Sequence, residues 1–148
     1  MIRTYMVFLM LAASGMSCYS FKGISIPPEV NTFIVMDFVN KVNDAPIDIE
    51  ILFGEELRRK IRTESRLKYD DINPDIEFEG SIIKFEETYE APTEGTTVDL
   101  GKLTIAVEVQ YTSNLNEKDN WKKTFSKFRT YESTADFSSI QDGLIDEI

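Results

Sequence analysis

Leu103-Thr-Ile105-Ala-Val107-Glu-Val109-Gln-Tyr111-Thr112 sets a large apolar side chain at every second position, with polar or small residues between. Successive side chains of an extended chain point to opposite faces, so the pattern makes a strand with one face in a core and the other in water. A helix would scatter the same residues around its circumference. Upstream, Ile76–Tyr89 is apolar first at even positions (Ile76, Phe78, Ile82) and then at odd ones (Ile83, Phe85, Tyr89). A change of parity inside one strand requires a bulge or bend, placed here between Gly80 and Ile83. Downstream, Trp121–Tyr131 reads as another strand. The connections, Ala91–Gly101 with Pro92 and Gly95, and Thr112–Asn120, are polar and turn-rich, which joins the three strands as hairpins.

Further out, Asn31–Phe38 is rich in β-branched and aromatic residues and reads as a first strand, broken by Asn43-Asp-Ala-Pro46. From Ile49 the apolar residues Ile49, Leu52, Phe53, Leu57 and Ile61 share one helical face, up to Ser65. Acids Asp48, Glu50, Glu55 and Glu56 come early in this helix and bases Arg58, Arg59, Lys60 and Arg62 late, in agreement with its dipole. Gly54 is unfavourable there and points to close packing. Arg66–Asp71 is extended and stops at Asn73-Pro-Asp75. Ser138-Ser-Ile-Gln141 has the form of a capping box, and Ile140, Leu144, Ile145 and Ile148 then share a face, so a second helix starts there and looks cut short at its end. The expected fold is α+β, a two-layer sandwich of a mainly antiparallel four-stranded sheet with two helices on one face. Its core is drawn from Phe33, Val35, Leu52, Phe53, Leu57, Ile61, Phe78, Ile105, Val107 and Val109.

The chain has 148 residues, 42% hydrophobic and 28% charged, enough for one domain and too apolar to be disordered. With 26 acidic and 16 basic side chains its net charge is -10, which argues against nucleic acid as a partner. It contains no histidine and a single cysteine, so histidine-dependent triads, Cys/His metal clusters and internal disulfides are excluded by inventory, and nothing calls for a metal or cofactor. Asp70/Asp71, Glu86/Glu87 and Glu55/Glu56 are neighbouring carboxylates, but neighbours on a strand face opposite ways, so they read as solvated surface rather than a catalytic pair. No catalytic residue is expected.

Arg3 followed by the apolar run Tyr5–Ala13 has the form of an export signal. Small residues come next, then Cys18, where a lipoprotein signal places the thiol that receives a diacylglycerol thioether. Ordinary signal cleavage near Ala13 or Gly15 is the alternative, leaving Cys18 a free thiol. The expected organisation is a signal peptide over 1–17, a lipid-anchored tether over 18–30 and a single domain over 31–148. Two basic runs stand out, Arg58–Arg62 and Lys122, Lys123, Lys127 and Arg129 on the last strand. The second contains no acid, and it is either protection of an edge strand or a contact for anionic lipid or an acidic protein wall.

Cys18-Tyr-Ser-Phe-Lys-Gly23 with Ser25-Ile-Pro-Pro28 resembles the segment after the acylated cysteine in the LptE family of lipopolysaccharide-assembly lipoproteins. Thr63–Leu67, Phe78-Glu-Gly-Ser-Ile82, Leu103-Thr-Ile105, Phe125-Ser-Lys-Phe128 and the acidic final helix with Asp146-Glu147 are similar to later landmarks of that family, in order. The resemblance implies an outer-membrane, periplasm-facing, lipid-anchored protein. It would plug the β-barrel LptD, help deliver lipopolysaccharide, and perform no enzymatic reaction. Two other classes stay open on the residues alone: a lipid-anchored periplasmic adaptor or activator of a cell-wall enzyme, and a carboxylate-dependent hydrolase.

Overall fold

The computed structural model describes residues 26–90 and 100–148. Cys18, the expected signal and most of the expected tether lie outside the described residues. The strand at 103–112 is the centre of β5 (Leu100–Ser113). It pairs antiparallel with β4 (Ile76–Glu90) on one side and β6 (Trp121–Glu132) on the other. The expected bulge is present: Ile82 lies opposite Val107 and Lys84 opposite Ala106, so Ile83 is the extra residue. Ile82 and Phe85 thereby point to the same face although their numbers differ in parity.

The other half of the sheet departs from expectation. Residues 31–38 form β1 (Thr32–Val35), after which the chain dips and resumes as β2 (Val39–Asn40). Both run parallel to β4, with Val35 opposite Phe78 and Val39 opposite Ser81. A two-residue β3 (Lys68–Tyr69) lies parallel to β1 on its far side. The sheet is therefore mixed and six-stranded, in the order β3-β1-β4-β5-β6 with β2 also on β4, rather than four-stranded and mainly antiparallel. The reason is the crossover. A strand that leaves through a helix and returns to the same sheet comes back parallel, and β3, exposed at both residues, has no alternation that marks it as a strand.

The crossover helix, α1 (Ile49–Glu64), follows Asp48, whose φ of 70° is the left-handed conformation in which Asp is better tolerated than most residues. Ile49 and Phe53 are buried, with Leu57 and Ile61 packed at the margin of the core. Leu52 is 45% exposed and does not belong to the core as expected, because the buried stripe advances by fours and leaves it to one side. The second helix, α2 (Phe137–Glu147), is capped by Asp136 rather than Ser138. The Asp136 carboxylate accepts from Ser138 N at 3.3 Å and Ser139 Oγ at 2.8 Å. This earlier start admits Phe137 into the helix, edge-on to Phe85 and Tyr131. Both helices cover the sheet face carrying Leu103, Ile105, Val107 and Val109, and Arg59 of α1 meets Asp146 of α2 at 3.1 Å. Among the described residues no helix is long and apolar enough to cross a membrane.

Candidate ligand-binding cleft

Phe78, Tyr111 and Trp121 are partners across β4, β5 and β6, so their side chains form one row on the helix-covered face. Tyr111 and Trp121 stack with ring centroids 5.4 Å apart and planes 7° from parallel, while Phe78 meets Tyr111 edge-on at 5.4 Å. The register of this row is set by the turn beyond it. Asn120 Oδ1 accepts from Ser113 N at 2.7 Å, and Asn114 N donates to Asp75 O at 2.9 Å, tying the turn to the start of β4.

Among the described residues, the last turns of α1 and the Ile26–Pro27 segment roof the aromatic row incompletely. They leave a cleft of about 480 Å³ walled by Ile26, Ile61, Leu67 and Ile76 and floored by Phe78, Tyr111 and Trp121. A smaller hollow of about 120 Å³, between Leu57, Phe125, Ile145 and Ile148, shares Lys60, Phe78 and Trp121 with it. The larger of the two has the size and apolarity of a small-ligand site. The rim is polar and of mixed charge, with Lys60, Glu64 and Asp119. Lys60 Nζ donates to the Asp146 carbonyl and lies 3.6 Å from its carboxylate, and Lys123 Nζ stands 5.2 Å over the Trp121 ring. Burial pushes the Tyr111 hydroxyl up, with Asp119 adding to the effect, so it remains a neutral phenol.

Two of the three neighbouring carboxylate pairs are held apart by separate partners, while Asp70 accepts from the Ile72 and Asn73 backbone. Glu55 bonds Arg58 and Glu56 bonds Arg59, Glu86 bonds Lys84 at 2.8 Å, and Glu87 accepts from Tyr131 Oη. The Arg59 hydrogen bond holds Glu56 down to about 2, which leaves it no proton to donate at neutral pH. Among the described residues no three His, Cys, Asp or Glu side chains stand close enough to hold a metal ion. What the cleft presents is an apolar wall with a polar rim.

β6 lies at the sheet edge, and the basic residues singled out on it divide between its faces. Lys122 is opposite Gln110, on the face away from the helices, 2.8 Å from Glu108, which Lys41 approaches at 4.0 Å. Lys123, Lys127 and Arg129 are opposite Val109, Ile105 and Leu103, on the helix side. Of these, Arg129 bonds Glu147 of α2 and packs where a side chain on Gly143 would stand. The cleft itself was not read from sequence. Its signal is the register of the β5–β6 hairpin, which puts Trp121 beside Tyr111, and that depends on the unlooked-for Asn120 clasp.

A family model described as LptE, lipopolysaccharide-assembly, matches residues 30–148. No curated protein sequence matches significantly. The PelC dodecamer from Paraburkholderia phytofirmans is 13% identical with a TM-score of 0.51, covering 80% of this chain and 84% of that one. Lipoprotein GNA1162 from Neisseria meningitidis is 10% identical with a TM-score of 0.53, covering 79% and 94%. Protein XCC0632 from Xanthomonas campestris is 12% identical with a TM-score of 0.52, covering 81% and 82%. At these identities the likeness is one of fold.

Proposed function

Since this chain belongs to the LptE lipopolysaccharide-assembly family, we propose that it is the lipid-anchored lipoprotein of an outer-membrane lipopolysaccharide-assembly machine, plugging and assisting an LptD-like β-barrel. The carrying observation is that the family match runs from Val30 to Ile148, through all six strands and both helices. Cys18 is the attachment point for the anchor, and the domain faces the periplasm and the barrel interior. It is not an enzyme.

Two features of the structure support the reading. The sheet face turned away from the helices is mainly polar, with Glu77, Glu79, Thr104, Glu108, Gln110 and Lys122 beside exposed Val39 and Phe128, and the lumen of an outer-membrane barrel is polar as well. The cleft over Phe78, Tyr111 and Trp121 offers an acyl chain an apolar wall, and Lys60 and Lys123 stand beside it for an attached phosphate. Lys122, Lys127 and Arg129 are further candidates for contact with lipid phosphates or the barrel wall.

The test is co-purification from detergent-solubilised outer membranes. A stable one-to-one complex with a large barrel supports the proposal, and recovery with a cell-wall enzyme instead sinks it. Separately, Cys18→Ala is expected to yield exported protein that carbonate washing releases from membranes; unchanged attachment would remove Cys18 as the anchor.

A further inference from the structure

We propose that β6 is a strand-addition edge, whose outer backbone groups pair with an extended segment of another protein that is acidic on one face and apolar on the other. Natural sheets blunt their edges by keeping them short, bulged, broken by proline, covered or lined with charge, lysine above all. Of these β6 has only the charge: it runs from Trp121 to Glu132 without proline, and its register with β5 is continuous throughout. Among the described residues no other strand lies on its outer side and no backbone hydrogen bond joins that side to another element.

The side chains specify the occupant. Lys122 and Arg129 already have carboxylate partners in Glu108 and Glu147, but Lys123 and Lys127 have none among the described residues. Both stand on the helix side of the strand, where acidic residues of an added strand would lie beside them. Phe125 and Phe128 occupy opposite faces of the same edge, 37% and 62% exposed, and Lys102 lies 4.3 Å over the Phe128 ring. An added strand with apolar residues opposite Phe128 would cover what the sheet leaves open. Two copies of β6 paired antiparallel about Phe125 would set Lys123 against Lys127, which disfavours that pairing of like strands. Edge lysines that serve as a guard repel a second basic strand, and that same charge leaves an acidic strand as the one admitted; the experiment separates a bare guard from a binding edge. The inference goes beyond the barrel reading and holds whichever envelope protein supplies the segment.

The experiment uses the full chain in mild detergent, following amide exchange of residues 121–132. The probe is a synthetic peptide as long as β6 in which Glu alternates with Val. Slowed exchange with this peptide is expected, with no effect from the same peptide carrying an N-methylated backbone or from one in which Lys replaces Glu. Lys123→Glu with Lys127→Glu should weaken the Glu–Val peptide about tenfold and admit the Lys–Val peptide. Lys127→Glu alone, at an exposed site, should shift both affinities in the same directions. Equal binding of the N-methylated peptide overturns the proposal, as do β6 amides already protected in the dilute protein. So does protection that grows with protein concentration without peptide, the mark of self-association. Protection by phosphatidylglycerol vesicles where the peptide gives none would make β6 a lipid-facing edge and would equally overturn it.

Discussion

Two glycines with the same composition signal have opposite structural meanings. At Gly80 an added Cβ would run into the Glu108 carbonyl and lie 2.7 Å from the Phe38 ring, which fills the space above β4 where the chain dips between β1 and β2. At Gly54, in α1, the nearest obstacle is again Phe38, but at 3.9 Å, an ordinary contact. Gly80→Ala is therefore expected to cost about 1–3 kcal/mol through overpacking, and Gly54→Ala to stabilise by up to about 1 kcal/mol through helix propensity. Urea titrations of the two variants would show midpoints moving in opposite directions; a loss at Gly54 would mean that the helix sits closer to the sheet than described. Asp75 makes a second argument at this scale. Its carboxylate accepts from Asn31 N at 2.7 Å and Thr32 N at 3.0 Å, and its own N–H donates to Thr32 Oγ1. Those backbone donors hold its pKa below the usual carboxylate value. The native group thus titrates below the unfolded one, so its stabilisation is present above about pH 4 and is lost as the pH falls through the native value. Asp75→Asn should lower stability at neutral pH and flatten the acid limb of a melting curve, and an acid limb unchanged in slope would refute the linkage.

Among elements, α1 shows how far periodicity carries. The stripe Ile49, Phe53, Leu57, Ile61 was legible because spacing of four keeps residues on one face, while Leu52 shares the helical arc without sharing the contact. Leu57→Ala should cost near the lower end of the ~2–5 kcal/mol typical of core truncation, and Leu52→Ala under about 1 kcal/mol. Equal melting temperatures for the pair would mean the helix is rotated from its described face. β4, β5 and β6 were legible for a related reason: each is long, and alternation or its interruption at Ile83 is a local property of the residues. The parallel strands were not, since β2 and β3 are two residues each and owe their pairing to chain far away. The N-cap was missed because Ser138 and Asp136 both suit the role, and only the packing of Phe137 decides between them. For the site, the basic residues of β6 could be found by composition, but their division between two faces and the carboxylate partners that occupy Lys122 and Arg129 belong to tertiary structure.

At the scale of the molecule the two halves of the sheet have different sequence reach. β4, β5 and β6 are successive neighbours, whereas β1 and β2 wait for β4, with α1 and β3 intervening. Local pairings form with less loss of chain entropy, so the folding nucleus is expected in the β4–β5–β6 meander. Val107→Ala should chiefly slow folding and Phe53→Ala chiefly speed unfolding, a split readable from the two arms of a denaturant chevron; the reverse pattern would place the nucleus in the crossover. On the proposed lipoprotein reading, the parallel pairing of β1 and β2 with β4 also bears on export. A ribosome delivers the amino-terminal half first. With Phe33, Val35 and Phe38 lacking the strand they rest on, that half holds no finished core of its own and remains threadable, a condition that suits passage through a translocation pore before the carboxy-terminal meander closes the domain on the far side.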